Sequence, residues 1–277
     1  MSSKKKSSSS KKHDHQPQFY GYDLFADQAP TVKGRLIVLE GTDGVGRSSQ
    51  IALLREWLES EGYAVATSGL KRGKLAGKGL KDAMAGHTLN DITMSLLYAT
   101  DFADRMEREI LPALRAGFIM LTDRYIYSIM VRSLVRGVDP AWLKNLFSFA
   151  LVPDIVFYLQ ADVSSLIPRV LNARGFDYWE SGGDFLPGRD YYENFVTYQR
   201  RVLAQFDALA AEHKFRRIDA NRSMHAVFRE LQREIRKVIA DMKPARLLQE
   251  VPAAEEAQIV PDGGEDGGEG AEAKNGL

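Results

Sequence analysis

An apolar run, RLIVLEG from Arg35 to Gly41, feeds directly into GTDGVGRSSQ, Gly41 to Gln50, and this junction restricts the fold more than any other stretch of the chain. The run has no alternation of apolar and polar residues, so it reads as a strand buried on both faces, the kind that parallel sheets require. The turn after it fits the spacing G-x-x-x-x-G-[K]-[ST], with Arg47 where lysine is usual. Gly41, Gly44 and Gly46 open backbone conformations closed to other residues. Through Thr42, Asp43, Val45, Arg47, Ser48 and Ser49 the loop can then turn successive N–H groups inward at phosphate oxygens. A helix starting near Ser48 adds the positive end of its dipole. Ser48 is placed to bind Mg²⁺ bridging the β- and γ-phosphates of ATP. Arg47 keeps the positive charge of the usual lysine but is bulkier and planar, and the two are not interchangeable in a tight cradle.

Further strands are predicted at YAVATSG (Tyr63 to Gly69), FIMLTD (Phe118 to Asp123), DIVFYLQ (Asp154 to Gln160) and FRRIDA (Phe215 to Ala220). Amphipathic stretches of helical period separate them. The longest, Leu89 to Ala116, repeats Leu96, Leu97, Ala103, Met106, Ile110 and Leu114 at spacings of three and four. Strand and helix alternating about five times mean an α/β domain with a parallel sheet.

A chain of 277 residues with 44% hydrophobic composition can bury a full core. Basic and acidic residues balance at 37 each, so no global field draws the protein to nucleic acid or anionic lipid. The absence of cysteine excludes disulfides, thiol catalysis and thiolate metal sites, and fits a reducing cytoplasm. No apolar run reaches the roughly 18 residues of a membrane helix. The basic start MSSKKKSSSSKKHDHQ and the acidic, glycine-rich end lack the apolar residues that ordering requires. The expected organisation is a disordered tail and lead-in over 1–30, a catalytic domain over 31–243 and a disordered tail over 244–277.

A second motif follows the strand FIMLTD. TDRYIYS sets Asp123 and Arg124 at the carboxyl end of a buried strand, where open α/β sheets bind ligands. A carboxylate there can hold a metal shell, and the adjacent arginine can clamp a phosphate with paired hydrogen bonds.

In order and spacing, LIVLEGTDGVGRSSQ, LLYATDFADRMEREILPALRAG, TDRYIYS, PDIVFYL and FRRIDA resemble the thymidylate kinases over roughly Arg35 to Ile239. The resemblance implies the P-loop NTPase fold, with a parallel five-stranded sheet flanked by helices on both faces and a lid at about 174–190. It also implies transfer of the ATP γ-phosphoryl to dTMP, a small-molecule nucleotide, and a homodimer as one assembly. Carried over by position, Asp43 contacts the acceptor sugar, Asp123 and Arg124 serve the magnesium and the acceptor phosphate, and Tyr98 stacks on the base. Arg169 and Arg174, with Glu180, belong to the lid that closes over ATP.

The chain departs from the family at four places. The Arg-Glu-Pro turn is replaced by SGLKRGKLAGKG, Ser68 to Gly79, whose lysines offer an alternative acceptor-phosphate site. Asp101-Phe102 stands for Asp-Arg, which leaves Arg105, one turn on, as the substitute base reader. Arg132-Ser133 replaces a Tyr-Gln pair that contacts the base, making Arg132 a candidate substrate ligand. In the lid, Asp177-Tyr178-Trp179-Glu180 lacks the usual arginine, and Gly44 supplies none in the cradle, so Arg47, Arg169, Arg174 or Arg189 has to. These differences keep two other readings open: a kinase for a different nucleotide or polyphosphate, and a nucleotide-binding protein that has lost catalysis.

Overall fold

The computed structural model of the chain describes residues 16–25, 27, 31–71, 73–87, 89–173, 175–186 and 190–244. Five strands form one sheet: β1 (Arg35–Gly41), β2 (Val65–Gly69), β3 (Ile119–Asp123), β4 (Ile155–Gln160) and β5 (Arg216–Asp219), in the order β2-β3-β1-β4-β5. Every neighbouring pair is parallel. Side chains alternate along β1, and both faces are buried, which is why Leu36 to Leu39 are apolar without interruption. Leu36 and Val38 join a core that includes Met106, Ile110 and Ile129, while Ile37 and Leu39 join a second with Ile51, Leu54 and Leu231.

The helices divide accordingly. The first core takes α2 (Gly77–Ala85), α3 (Asp91–Arg105), α4 (Leu111–Arg115), α5 (Ile126–Val135), α6 (Pro140–Leu146) and α8 (Tyr191–Glu212). The second takes α1 (Arg47–Ser60), α7 (Val163–Ala173), which contributes Leu166, and α9 (Met224–Val238). After β1 the chain therefore turns to one face and after β3 to the other. The carboxyl ends of these two adjacent strands flank the crevice at which an open α/β sheet binds its ligand.

Two expectations shift. The helix expected over Leu89 to Ala116 starts at Asp91 and passes through a π turn, Met106–Ile110, before α4. Pro112 has no N–H to give the carbonyl four residues back, so the regular ladder cannot run through this point. The lead-in is also part of the fold from residue 16. Phe19 bridges Leu151, the Tyr20 N–H donates to the Ala150 carbonyl at 3.1 Å, and Phe25 is 4% exposed against Phe149. Residues 1–15 and 245–277, called tails on composition, lie outside the described residues. Among those described, no helix is long and apolar enough to cross a membrane.

Candidate active site

The loop between β1 and α1 has the backbone its glycines allow. Gly41, Gly44 and Gly46 have φ of 144°, 76° and 97°. At Gly44 a Cβ would also come within 2.7 Å of a Val170 methyl. No side chain caps α1, whose Ncap is Gly46, so the first N–H groups of the helix remain for an anion.

This loop forms one wall of a cavity of about 510 Å³, lined there by Asp43, Gly44, Gly46, Arg47, Ser48 and Ser49. Asp123, Arg124 and Arg132 line it from β3 and α5, Arg169 from α7, and Lys71 and Glu180 from the facing loops. Gly41, Thr42 and Val45 are not on its wall. They form the buried back of the turn, Thr42 at 1% and Val45 at 4% exposure. Arg174 and Arg189 lie outside the described residues.

Within the cavity, Arg47 is engaged with the protein itself. Its Nε donates to Asp123 Oδ1 at 2.9 Å, and Nη1 donates to the carbonyls of Gly41, at 2.6 Å, and Thr42. Ser48 Oγ donates to the other Asp123 oxygen at 2.7 Å. Burial works to raise the Asp123 carboxyl, but the Arg47 and Arg124 charges and the bonds from Ser48 and Arg47 outweigh it and hold the group below its usual range. Asp123 is therefore a standing anion at neutral pH. Ser48 and Asp123 offer only oxygen, which suits magnesium, an ion that takes one or two protein ligands and completes its shell with water and phosphate. No cluster of three or more His, Asp or Glu side chains of metal-binding geometry occurs among the described residues.

Arg124 has a φ of 73°, unusual for a residue with a side chain. Its Nη2 donates to Asp43 Oδ1, and Arg132 Nη2 donates to the other Asp43 oxygen at 2.7 Å. One carboxylate thus holds two guanidiniums side by side. Burial, then the Arg47 charge, pulls Arg124 down to about 10, still a cation at neutral pH. Lys71 completes the group. Its ammonium meets only Met84 Sδ, at 3.9 Å, among the described residues, and burial followed by the charges of Arg132 and Arg124 lowers its pKa. Two guanidiniums on one carboxylate, with the Lys71 ammonium lining the same cavity, make a site suited to a polyvalent anion.

Asp101 and Arg105 are elsewhere. Both are fully buried and paired at 3.1 Å, and neither lines the cavity. Asp101 accepts the N–H groups of Lys71 at 3.1 Å and Gly73 at 2.9 Å, while Arg105 donates to Ser68 Oγ at 3.3 Å. The pair anchors the basic loop from below and so aims Lys71. Phe102 is core, packed on Tyr125 and Phe147. Tyr98, 4% exposed, lines a separate pocket with Arg132, Ser133 and Trp179.

Reading the motifs overlooked Glu40, although an acid closing an apolar strand is a visible signal. Its Oε1 accepts the Tyr125 N–H at 2.8 Å and the Ser128 N–H at 3.2 Å, and Oε2 accepts the Ser128 hydroxyl. It ties β1 to the start of α5 and so fixes the turn that carries Arg124. Burial raises the Glu40 carboxyl above its ordinary range, against the pull of Ser128, Tyr125, Arg124 and Arg47. An acid raised in the folded state takes up a proton on folding, so it costs stability as pH climbs from the unfolded value, about 4.3, toward the folded one. Glutamine keeps an acceptor for the two N–H groups without that dependence. The stability of Glu40→Gln relative to the native protein is expected to rise with pH above that value, read from urea midpoints. A flat or falling difference would contradict the assignment.

The family model described as thymidylate kinase matches residues 39–235, more than half of the chain. A protein of Saccharolobus solfataricus named "Probable thymidylate kinase 2" is 37% identical over 212 residues, 76% of this chain and 97% of that protein. The thymidylate kinases of Halothermothrix orenii and Clavibacter sepedonicus are 31% and 33% identical over 211 and 217 residues, covering 74% and 75% of this chain and 98% and 97% of theirs.

Proposed function

The chain belongs to the thymidylate kinase family, and from that premise we propose that it uses ATP and Mg²⁺ to phosphorylate dTMP to dTDP. One observation carries the reading beyond family membership: two groups of phosphate donors line a single cavity. One is the glycine loop with the open start of α1. The other is Lys71, Arg124 and Arg132, the two arginines joined to the loop through Asp43.

In this reading the loop and Arg169 hold ATP, and Arg124, Arg132 and Lys71 hold the acceptor phosphate. Asp43 keeps the two guanidiniums in register and faces the acceptor sugar. The reaction joins an acceptor phosphate oxygen to the γ-phosphorus and breaks the bond to the β,γ-bridging oxygen, whose electron pair leaves with ADP. No proton has to be removed first, because the attacking oxygen is already ionised. The protein's contribution is positioning and charge neutralisation. Ser48 and Asp123 would hold magnesium, which would supply neutralisation of phosphate charge.

A cysteine-free enzyme of this kind fits the cytoplasm. We assign a homodimer contact to the outer face of α3, where Ile92 and Leu96 are exposed. The test of function is ADP release with ATP, Mg²⁺ and a panel of nucleoside monophosphates. Turnover of dTMP well above the rest supports the reading. Preference for another monophosphate, or silence with all, overturns it.

A further inference from the structure

Residues 16–25 precede the stretch 39–235 matched by the family model, yet they pack on the side chains that hold the Arg124 turn in place. The segment lies close against the loop before β4. The Val152 N–H donates to the Gln18 carbonyl at 2.7 Å, and Phe19 bridges Leu151 in antiparallel sense. A Cβ at Gly21 would stand 2.8 Å from the Ser148 Cβ, so only glycine allows this approach.

Two routes lead from the segment to the turn. The Tyr125 hydroxyl donates at 2.9 Å to the carbonyl of Leu151, the residue that Phe19 pairs with. More directly, the hydroxyls of Tyr20 and Tyr127 share a hydrogen bond, with the two rings edge to face and their centroids 6.2 Å apart. Tyr127 is fully buried against His213 and Phe215, and this is the one hydrogen bond its hydroxyl makes among the described residues.

Tyr125 and Tyr127 follow Arg124, whose φ of 73° is a conformation that persists only where the surroundings over-determine it. From the sheet side Glu40 supplies part of that constraint, through the N–H groups of Tyr125 and Ser128. The segment 16–25 grips the same first turn of α5 through the two tyrosine hydroxyls. We propose that this segment braces the acceptor-phosphate arginine, Arg124, and that Tyr20 is a positioning residue acting through Tyr127. The inference rests on the proposed kinase reading and deepens it, because it extends the support of the acceptor site to a part of the chain ahead of the first strand.

The test compares full-length Tyr20→Phe and Gly21→Val with the native chain by amide hydrogen exchange and steady-state kinetics. Tyr20→Phe keeps the ring but leaves the buried Tyr127 hydroxyl unpaired. Exchange over residues 123–130 is expected to quicken about tenfold while that of α9 stays native, and the KM for dTMP to rise about fivefold with that for ATP unmoved. Gly21→Val, which lifts the segment from Ser148, is expected to act in the same direction. In a Tyr127→Phe background Tyr20→Phe is expected to change neither quantity, since the hydroxyl it acts through is gone. Faster exchange spread evenly over the chain with both KM values unmoved would make the segment a general stabiliser and overturn the brace, as would quickening at 123–130 that leaves the KM for dTMP native. Should Gly21→Val fail to fold, Tyr20→Phe decides. If no monophosphate is turned over, the kinase reading falls, and exchange over 123–130 alone decides whether the segment braces Arg124.

Discussion

Asp123→Asn is expected to lower kcat about 10²–10³-fold while the protein stays folded. The carboxylate ends β3 with one oxygen accepting from Ser48 and the other from Arg47. An amide of the same shape can satisfy one of those donors but faces the other with its own N–H groups. It also carries no charge for the magnesium. Because Asp123 lies on the cavity wall rather than in either core, water can reach whatever bond is lost, so the effect falls on rate more than on stability. The measurement is ADP release beside a thermal melt. Activity within tenfold of the native enzyme would show that the carboxylate serves neither the metal nor the loop.

The second large effect is at Arg47. Arg47→Ala is expected to cost about 10³-fold in kcat/KM, and Arg47→Lys to stay within about tenfold. The guanidinium spans the loop from inside, from the Gly41 and Thr42 carbonyls to Asp123, and is the charge nearest the start of α1. Alanine removes that charge and leaves two carbonyls and a carboxylate oxygen to water. Lysine restores a point charge with three donors, enough for the carbonyls or for a phosphate, without the planar fork. The same ADP-release assay, with ATP varied at saturating acceptor, separates the variants. A lysine protein as inactive as the alanine one would mean that the fork geometry carries the effect, and an active alanine protein would remove Arg47 from the reaction.

How much of this was legible beforehand depends on the range over which each residue acts. Three of the strands, β1, β3 and β4, were visible because a strand buried on both faces is apolar over most of its length, and the glycine loop because its backbone needs residues without Cβ at fixed spacing. The π turn has its signal in Pro112, but a break in the ladder of a helix already periodic on both sides is easily read through. The docking of residues 16–25 left almost no trace, since a few aromatics such as Phe19 and Phe25 in a polar lead-in acquire meaning only once Leu151 and Phe149 are brought opposite them.

By itself the sequence determined the sheet, the glycine loop and the family, each of which rests on short-range patterns: apolar runs, glycine spacing, and an Asp-Arg pair at a strand end. Only the tertiary structure decided which cations face the cavity. Arg105 and Lys71 are both basic residues near the expected acceptor site, yet the first is buried on Asp101 and the second is aimed outward by the same carboxylate. It also decided that Trp179 meets the last turn of α2 at the Met84 carbonyl. Such assignments depend on contacts between residues about 30 to 100 positions apart, and a side chain's charge or ring does not reveal which way the packed core will turn it.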